Sequence, residues 1–397
     1  MGALADAPER TAPVGALDRG LRWLFRRAVG EAPLRFALAG GEVVYVPQES
    51  AVATVVFRDL RALVHVLSSP ESRFGEAYAN GDVAVEGDLV GALEAVYLAR
   101  ERRAKRWSAW RVGHPPEEAR ENAQRHYDLG NAFYRPWLGD SMVYTCAYFP
   151  TPDATLEAAQ TAKMELVCRK LALSEGDRVV EAGCGWGALA RYMVRSRGVR
   201  VTAYNVSREQ VCWAREQAVR EGLAKRVAFI EDDYRRIDGS YDVFVSVGML
   251  EHVGPLDYPT LGSVIDRCLD HNRGRGLLHF IGRDRPQPLN PWIRRWIFPG
   301  AYPPTLGEAV RGVLEPAGLA VLDVENLRPH YALTLRHWRE RFEAAADDVS
   351  ARFGRPFARS WRLYLAGSEA AFRTGSMELF QVTFARPGVA WTRPSPP

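Results

Sequence analysis

The sequence predicts an α/β protein: a mostly parallel sheet covered by helices on both faces, preceded by a smaller α+β unit. Three observations predict it. From about residue 176, short Val-rich runs alternate with longer helical patterns, and such alternation builds parallel sheets. A glycine-rich turn, Gly183 to Gly187, joins the first of these strands to the first helix. Before residue 100, an amphipathic helix and two Val-rich runs form a pattern of their own.

Composition agrees. The chain has 397 residues, 47% hydrophobic and 25% charged, which is the balance of a globular chain of two or three domains. Disordered, collagen-like and coiled-coil chains are excluded. The longest nearly uninterrupted apolar run, Val243 to Leu250, is far short of the roughly 20 residues of a spanning helix. The first thirty residues lack the apolar core and cleavage site of a secretory signal. Asp6 stands where a myristoylation signal needs Ser or Thr. The net charge of +4, from 52 basic and 48 acidic residues, is too small to indicate nucleic acid. Five scattered cysteines without a CxxC pair predict neither a disulfide framework nor a zinc site, and fit a reducing cytoplasm.

Residues 1–15 are rich in Ala, Pro and Gly and read as a mobile tail. Leu17, Leu21, Leu24, Phe25 and Ala28 share one helical face, with Arg19, Arg22, Arg26 and Arg27 around it. The pattern fits a helix packed on its own domain or one lying on an anionic membrane surface. Residues 42–57 read as two strands, Asp59 to Leu67 as a short helix, and Phe74 to Asp88 as a helix turn followed by a loop punctuated by Gly and Asp. Arg100 to Arg111 carries six basic residues with Trp107 and Trp110 between them, a composition suited to an interface or to a solvated linker helix. Strands are then predicted at Arg178–Ala182, Val199–Tyr204, Val227–Ile230, Tyr241–Val247 and Leu277–Ile281. Helices are predicted at Ala188–Arg197 and Ser207–Glu221, the second opened by Ser207 as N-cap. Two late runs, Val321–Val324 and Leu379–Phe384, add an edge pair.

The turn Gly183-Cys-Gly-Trp-Gly187 has the spacing GxGxG. Glycine is needed where backbone turns sharply and a ligand approaches closely. The spacing differs from a dinucleotide fingerprint, and no P-loop lysine follows. With Glu181 entering the turn, the pattern reads as a nucleoside-cofactor site. Asn205 ends the second strand, where ribose hydroxyls are bound in many such folds. The run Glu231-Asp-Asp-Tyr234 follows the third strand and offers an acceptor for an adenine amino group. GxGxG in this setting resembles the first motif of S-adenosylmethionine-dependent methyltransferases.

Further segments resemble one family, the cyclopropane-fatty-acyl-phospholipid synthases and mycolic acid methyltransferases. They are His126 to Tyr134, Met142 to Phe149, Glu181 to Gly187, Val247 to Gly254, Leu278 to Gly282, Trp292 to Pro299 and His330 to Leu335. The resemblance covers about residues 120–385. It implies the Rossmann-like seven-stranded sheet of class I methyltransferases in a catalytic domain at 116–390. It also implies a lipid-associated α+β domain at 16–115, as in members that act on phospholipids. The implied cofactor site is Tyr144, Thr145, Gly183, Gly185, Trp186, Gly187, Asn205, Gln210, Glu231 and Asp232. The implied reaction adds the sulfonium methyl of S-adenosylmethionine to a cis double bond of a phospholipid acyl chain. Loss of a proton to bound bicarbonate then closes a cyclopropane ring. Cys146, Glu251, His279, Ile281 and Tyr331 match the bicarbonate site. The basic N-terminal helices are the expected route to the lipid, by peripheral contact with the inner face of the cell membrane, and the resemblance allows for a homodimer, which members of the family often form.

The chemistry agrees with the residues. An alkene is a poor nucleophile and must be held against the methyl in near-attack geometry, and a carbocation needs nearby negative charge without water. Tyr331 and His279 can donate to an oxyanion, while Glu251, an exposed carboxylate after the fourth strand, faces the ligand crevice. The rings of Tyr148, Phe149 and Trp292 can support a cation. Cys146, with no adjacent charge, reads as a lining residue rather than a nucleophile. His126 and His330 read equally as structural residues. Glu251-His252 without another spaced ligand indicates no metal. Glu181, Thr145, Asn205 and Phe280 depart from the family pattern. Phe280 is expected to thicken the wall beside the bicarbonate position. Deprotonation at a neighbouring chain carbon would instead give a methylene-branched chain, for a partner reductase to convert into a methyl branch. A small-molecule methyltransferase and an inactive lipid-binding protein are the readings from other classes.

Overall fold

The computed structural model describes residues 16–47, 49–101, 113, 115, 117–118, 121–122, 126 and 129–395. The tail 1–15 and the Trp107–Trp110 segment lie outside the described residues.

The N-terminal unit opens with the helix Ala16–Val29. Four strands follow: β1 (Leu34–Leu38), β2 (Val43–Tyr45), β3 (Ala53–Phe57) and β4 (Val83–Gly87), in the order β2-β1-β3-β4. β1 and β3 are parallel, and the other neighbours antiparallel. Phe25 stacks on Phe36 at 4.4 Å, and Phe57, Leu63 and Val83 close the core beneath them. Two elements differ from the sequence reading. β1 was not expected, because Leu-Arg-Phe-Ala-Leu is short and follows a helix directly. Residues 83–87 form a strand rather than a loop. Gly81, left-handed at φ 83°, caps the helix Pro70–Asn80, and β4 then pairs with β3 along its full length. The glycine there ends a helix and does not signal irregular chain.

The larger sheet has seven strands in the order β10-β11-β9-β8-β5-β6-β7. They are β5 (Arg178–Ala182), β6 (Arg200–Asn205), β7 (Val227–Glu231), β8 (Val243–Val247), β9 (Arg275–Gly282), β10 (Ala320–Asn326) and β11 (Glu378–Ala385). β5 to β9 are parallel; β11 runs antiparallel between β9 and the edge strand β10. Strand order reverses at β5, with β6 and β7 to one side and β8 and β9 to the other. Such a switch point leaves a crevice at the carboxyl ends of the central strands. Ser207 caps the helix Arg208–Arg220 by accepting from the Gln210 amide, as its sequence position predicts.

The two units are packed together. The helix Arg355–Thr374 lies against Leu89–Glu101 and Pro70–Asn80. Arg359 on it donates to the Tyr78 and Val83 carbonyls at 2.6 and 2.8 Å. A cluster of buried aromatics, among them Phe133, Tyr134, Trp137, Trp338 and Trp361, fills the space behind the crevice.

Candidate active site

The turn after β5 places its three glycines at φ 81°, 52° and 75°, where side-chain-bearing residues are strained. Each has a further reason to be glycine. A Cβ on Gly183 would come within 2.8 Å of Met249, and one on Gly187 within 2.5 Å of the Phe229 ring. Gly185 faces open space, so its bare backbone is open to a ligand. Asn205 donates to Gln210 at 2.7 Å and to the Gly185 carbonyl at 3.4 Å, bracing the turn from β6.

Around this turn lies a cavity of about 1080 Å³, its mouth included. Of the positions expected for the cofactor, Tyr144, Thr145, Gly183, Gly185, Trp186, Asn205, Gln210 and Asp232 line it. Gly187 and Glu231 do not. Gly187 packs on Phe229, and Glu231 ends β7 paired in register with Asn205. Asp233 takes the place beside Asp232. Sequence reasoning also passed over Lys163, which lines the same cavity and is buried. Its Nζ donates to the Thr145 hydroxyl at 3.0 Å, and Gln160, one turn earlier, donates to the Thr145 carbonyl at 2.9 Å. The helical spacing i, i+3 was the available signal. Burial pushes Lys163 down to about 8, and pushes the neighbouring Glu181 up to about 8 against the pull of Lys163 and Arg191.

A second cavity, of about 2970 Å³, lies on the other side of Thr145 between the two units. Tyr144, Thr145, Gly248 and His252 belong to both walls. The neck between the cavities is narrow: a Cβ on Gly248 would sit 2.9 Å from the Thr145 methyl. Cys146, Glu251, His279, Ile281 and Tyr331 all line this second cavity. Glu251 is buried, not exposed as its place after β8 suggested. Its Oε1 accepts the Ile281 amide at 2.5 Å, and its Oε2 has no partner among the described residues. Burial raises its carboxyl to about 7 against the pull of that amide. His279 Nδ1 faces the Gln381 amide nitrogen at 3.0 Å. The ring tautomer follows the orientation of that amide, and Nε2 is buried without a partner among the described residues. Burial, with the charges of Lys163 and Lys170, holds the ring neutral. Burial also raises the Cys146 thiol far above its ordinary value, and its Sγ contacts the Ala147 carbonyl. A thiol so held is no nucleophile.

Three expectations change. Phe280 does not thicken the wall. Strand alternation turns it to the opposite face of β9, where it packs on Phe380, while His279 and Ile281 face the cavity. Tyr148 and Phe149 stack on His330 and His337 and are not among the lining residues. Trp292 does line the cavity, and Phe298, Tyr364 and Phe372 supply further rings. His330 accepts the Phe149 amide at 3.1 Å, and His126 Nδ1 contacts the Ile297 carbonyl at 2.8 Å, so both are held by the fold.

Residues 114–382 match the family model for mycolic acid cyclopropane synthetase. A probable fatty acid methyltransferase of Pseudomonas putida is 35% identical over 91% of this chain and 95% of its own length. The cyclopropane-fatty-acyl-phospholipid synthase of Escherichia coli K12 is 39% identical over 70% of this chain and 68% of its own. Among solved structures, a mycolic acid cyclopropane synthase complexed with SAH and CTAB superposes with a TM-score of 0.64 at 30% identity. It covers 67% of this chain and 98% of that one. The fold is that of a class I methyltransferase. With two cavities meeting at Thr145 and these relatives, the chain belongs to the mycolic acid cyclopropane synthetase family of S-adenosylmethionine-dependent lipid methyltransferases.

Proposed function

We propose that the protein methylates the cis double bond of an unsaturated phospholipid acyl chain and closes a cyclopropane ring there. The observation that carries this reading is the shared wall. Tyr144, Thr145, Gly248 and His252 separate a turn-lined cavity suited to an adenosyl group from an apolar cavity suited to an acyl chain. The open face of Gly185 and the bracing by Asn205 and Gln210 fit S-adenosylmethionine. When bound, it supplies an electrophilic methyl. Glu251 Oε2 and His279 Nε2, without a partner among the described residues and both on one cavity lining, fit a small oxyanion. Bicarbonate held there, with Cys146 and Tyr331 beside it, would supply a base.

The chain's own residues do the rest. The aromatic and aliphatic walls exclude water and press the π bond toward the neck. His279 is neutral, and with its Nδ1 accepting from the Gln381 amide its Nε2 proton is donated into the cavity. Glu251, raised to about 7, keeps a share of its proton near neutrality and donates or accepts as charge develops. The Ile281 amide is already given to Glu251 and so orients that carboxyl. The apolar walls from Trp292, Tyr364 and Phe372 offer ring faces to a developing cation.

Access from a membrane is part of the reading. Trp23 on the first helix is 59% exposed, with Arg27 over its ring, a pairing suited to an anionic interface. No described helix is long and apolar enough to cross a membrane, so the contact would be peripheral, on the inner face of the cell membrane, and weaken with salt.

Incubation with unsaturated phospholipid vesicles and S-adenosylmethionine tests the reading. Mass spectrometry should show a gain of one CH₂ per modified acyl chain, and saturated vesicles should show none. No gain on unsaturated chains overturns it. A second reading, methylene branching ahead of a partner reductase, uses the same methyl transfer and differs only in which carbon next to the cation loses its proton. Vinyl protons in the NMR spectrum of the product would select it over the ring.

A further inference from the structure

His279 lines the second cavity from β9, between β8 and β11. Its in-register partners are Val247 on β8 and Gln381 on β11. Residues paired in this way share one face of a sheet, and of the two only Gln381 has a polar side chain. Gln381 is fully buried and is not among the lining residues of the cavity. Its Nε2 lies 3.0 Å from His279 Nδ1, and its Oε1 has no partner among the described residues. Among those residues the His279 ring is the one group that the Gln381 side chain meets with a hydrogen bond.

An amide sunk in the middle of a sheet with its oxygen unused costs stability. Leu379, two residues earlier on the same face, and Val247 are buried aliphatic residues, so an aliphatic side chain suits this surface at lower cost. The amide offers what an aliphatic chain lacks, control of the ring. A neutral imidazole carries one proton on one of two nitrogens, and the partner of the first nitrogen sets the state of the second. An amide N–H at Nδ1 requires a lone pair there and leaves the proton on Nε2, the nitrogen without a partner among the described residues. With the opposite tautomer a lone pair would stand at Nε2 and repel the oxygen of an anion.

We infer that Gln381 is a positioning residue that holds His279 with its N–H, rather than its lone pair, toward the cavity, and so makes that wall select a small oxyanion. This rests on the oxyanion reading above and deepens it. Ile281 and Leu379, the next pair on the same face, both line the cavity. β11 therefore reaches the site twice, directly through Leu379 and by way of His279 through Gln381.

The tautomer is measured on the protein itself. The full chain is labelled with ¹⁵N-histidine, and the His279 ring signals are those missing from His279→Asn. The inference expects a protonated Nε2 and a bare Nδ1 shifted by an accepted hydrogen bond. Gln381→Met keeps the length of the side chain and removes the donor. Its Nδ1 signal should move toward that of an unbonded ring nitrogen. At saturating lipid and bicarbonate its turnover of unsaturated phospholipid should fall about tenfold, the worth of one hydrogen bond. Its S-adenosylhomocysteine affinity and its half-saturating lipid concentration should stay within about twofold of wild type. Retained stabilisation by S-adenosylhomocysteine shows that the variant is folded. The wild-type spectrum decides the tautomer even where no lipid is methylated, so a failure of the methylation reading is told apart from a failure of this one. A proton on Nδ1 in the wild type, an unmoved Nδ1 signal in Gln381→Met, full turnover in that variant, or a loss of turnover matched by an equal loss of cofactor affinity would each overturn the assignment.

Discussion

The two cavities that meet at Thr145 are built in opposite ways. The cavity we assign to the cofactor is assembled from strand ends and the turns that follow them, so most of its wall lies within residues 181–253. The cavity we assign to the acyl chain is assembled across the molecule, from Arg27 to Leu379, with the N-terminal unit, the segment just after β8, β9 and the helices Arg328–Ala344 and Arg355–Thr374 each giving a side. The first is a property of one supersecondary unit. The second exists only because two units dock. A change in the first should touch cofactor affinity. A change in the second should touch lipid turnover and leave the cofactor alone.

The sharpest separation is expected at Glu251. Glu251→Gln keeps the shape and the contact with the Ile281 amide but removes the titrating proton. Turnover on unsaturated phospholipid should fall by about 10²-fold or more, while S-adenosylhomocysteine affinity, read by calorimetry, stays within a factor of about two of wild type. Lys163→Met breaks the comparison on purpose, because Lys163 holds the Thr145 wall common to both cavities. Cofactor affinity and lipid turnover should drop together, each by about tenfold, the worth of about 1–1.5 kcal/mol for one hydrogen bond. A drop in only one would show that the wall is not shared in function.

A pair of glycines sharpens it further. Gly187→Ala drives a Cβ into Phe229, and Gly75→Ala drives one to within 2.5 Å of the Trp292 ring. Each should cost about 1–3 kcal/mol of stability, measured by denaturant titration. Only Gly187→Ala should also weaken S-adenosylhomocysteine binding, and only Gly75→Ala should raise the lipid concentration needed for half-maximal rate.

The smallest effect concerns pH. Burial raises the Glu181 carboxyl from 4.5 to about 8. Between those values the unfolded chain has released the proton that the folded chain still holds, so this group makes stability fall as pH rises. Glu181→Gln should remove that part of the slope in a pH series of denaturant titrations. An unchanged slope would mean that Lys163 and Arg191 hold the carboxylate ionised throughout.

The contrast also explains what the sequence disclosed. The parallel sheet, the Ser207 cap and the glycine turn were legible because each is written in consecutive residues whose local preferences agree with the fold. Cys146, Glu251, His279 and Tyr331 could be gathered only through their family resemblance, since nothing in their spacing places residues 146 and 331 on one wall. Phe280 was misjudged because neighbours in a strand face opposite sides, and the sequence did not say which side held the cavity. The burial of Glu251 was missed because its partner, the Ile281 amide, comes from another strand. Residues 83–87 were misread because a helix-capping glycine and a loop glycine look alike until a partner strand is known. Lys163 was visible as one lysine in a helix, and only packing shows that it reaches Thr145.

The central claim is that a methyl delivered from one cavity reaches a π bond in the other. The most direct measurement follows a deuterated methyl group from S-adenosylmethionine into unsaturated phospholipid, with the product then split into acyl chains and headgroup. The account predicts label in the unsaturated acyl fraction alone, and its loss in Glu251→Gln. Label in the headgroup, or none in either fraction from wild-type protein that binds S-adenosylhomocysteine, would contradict it.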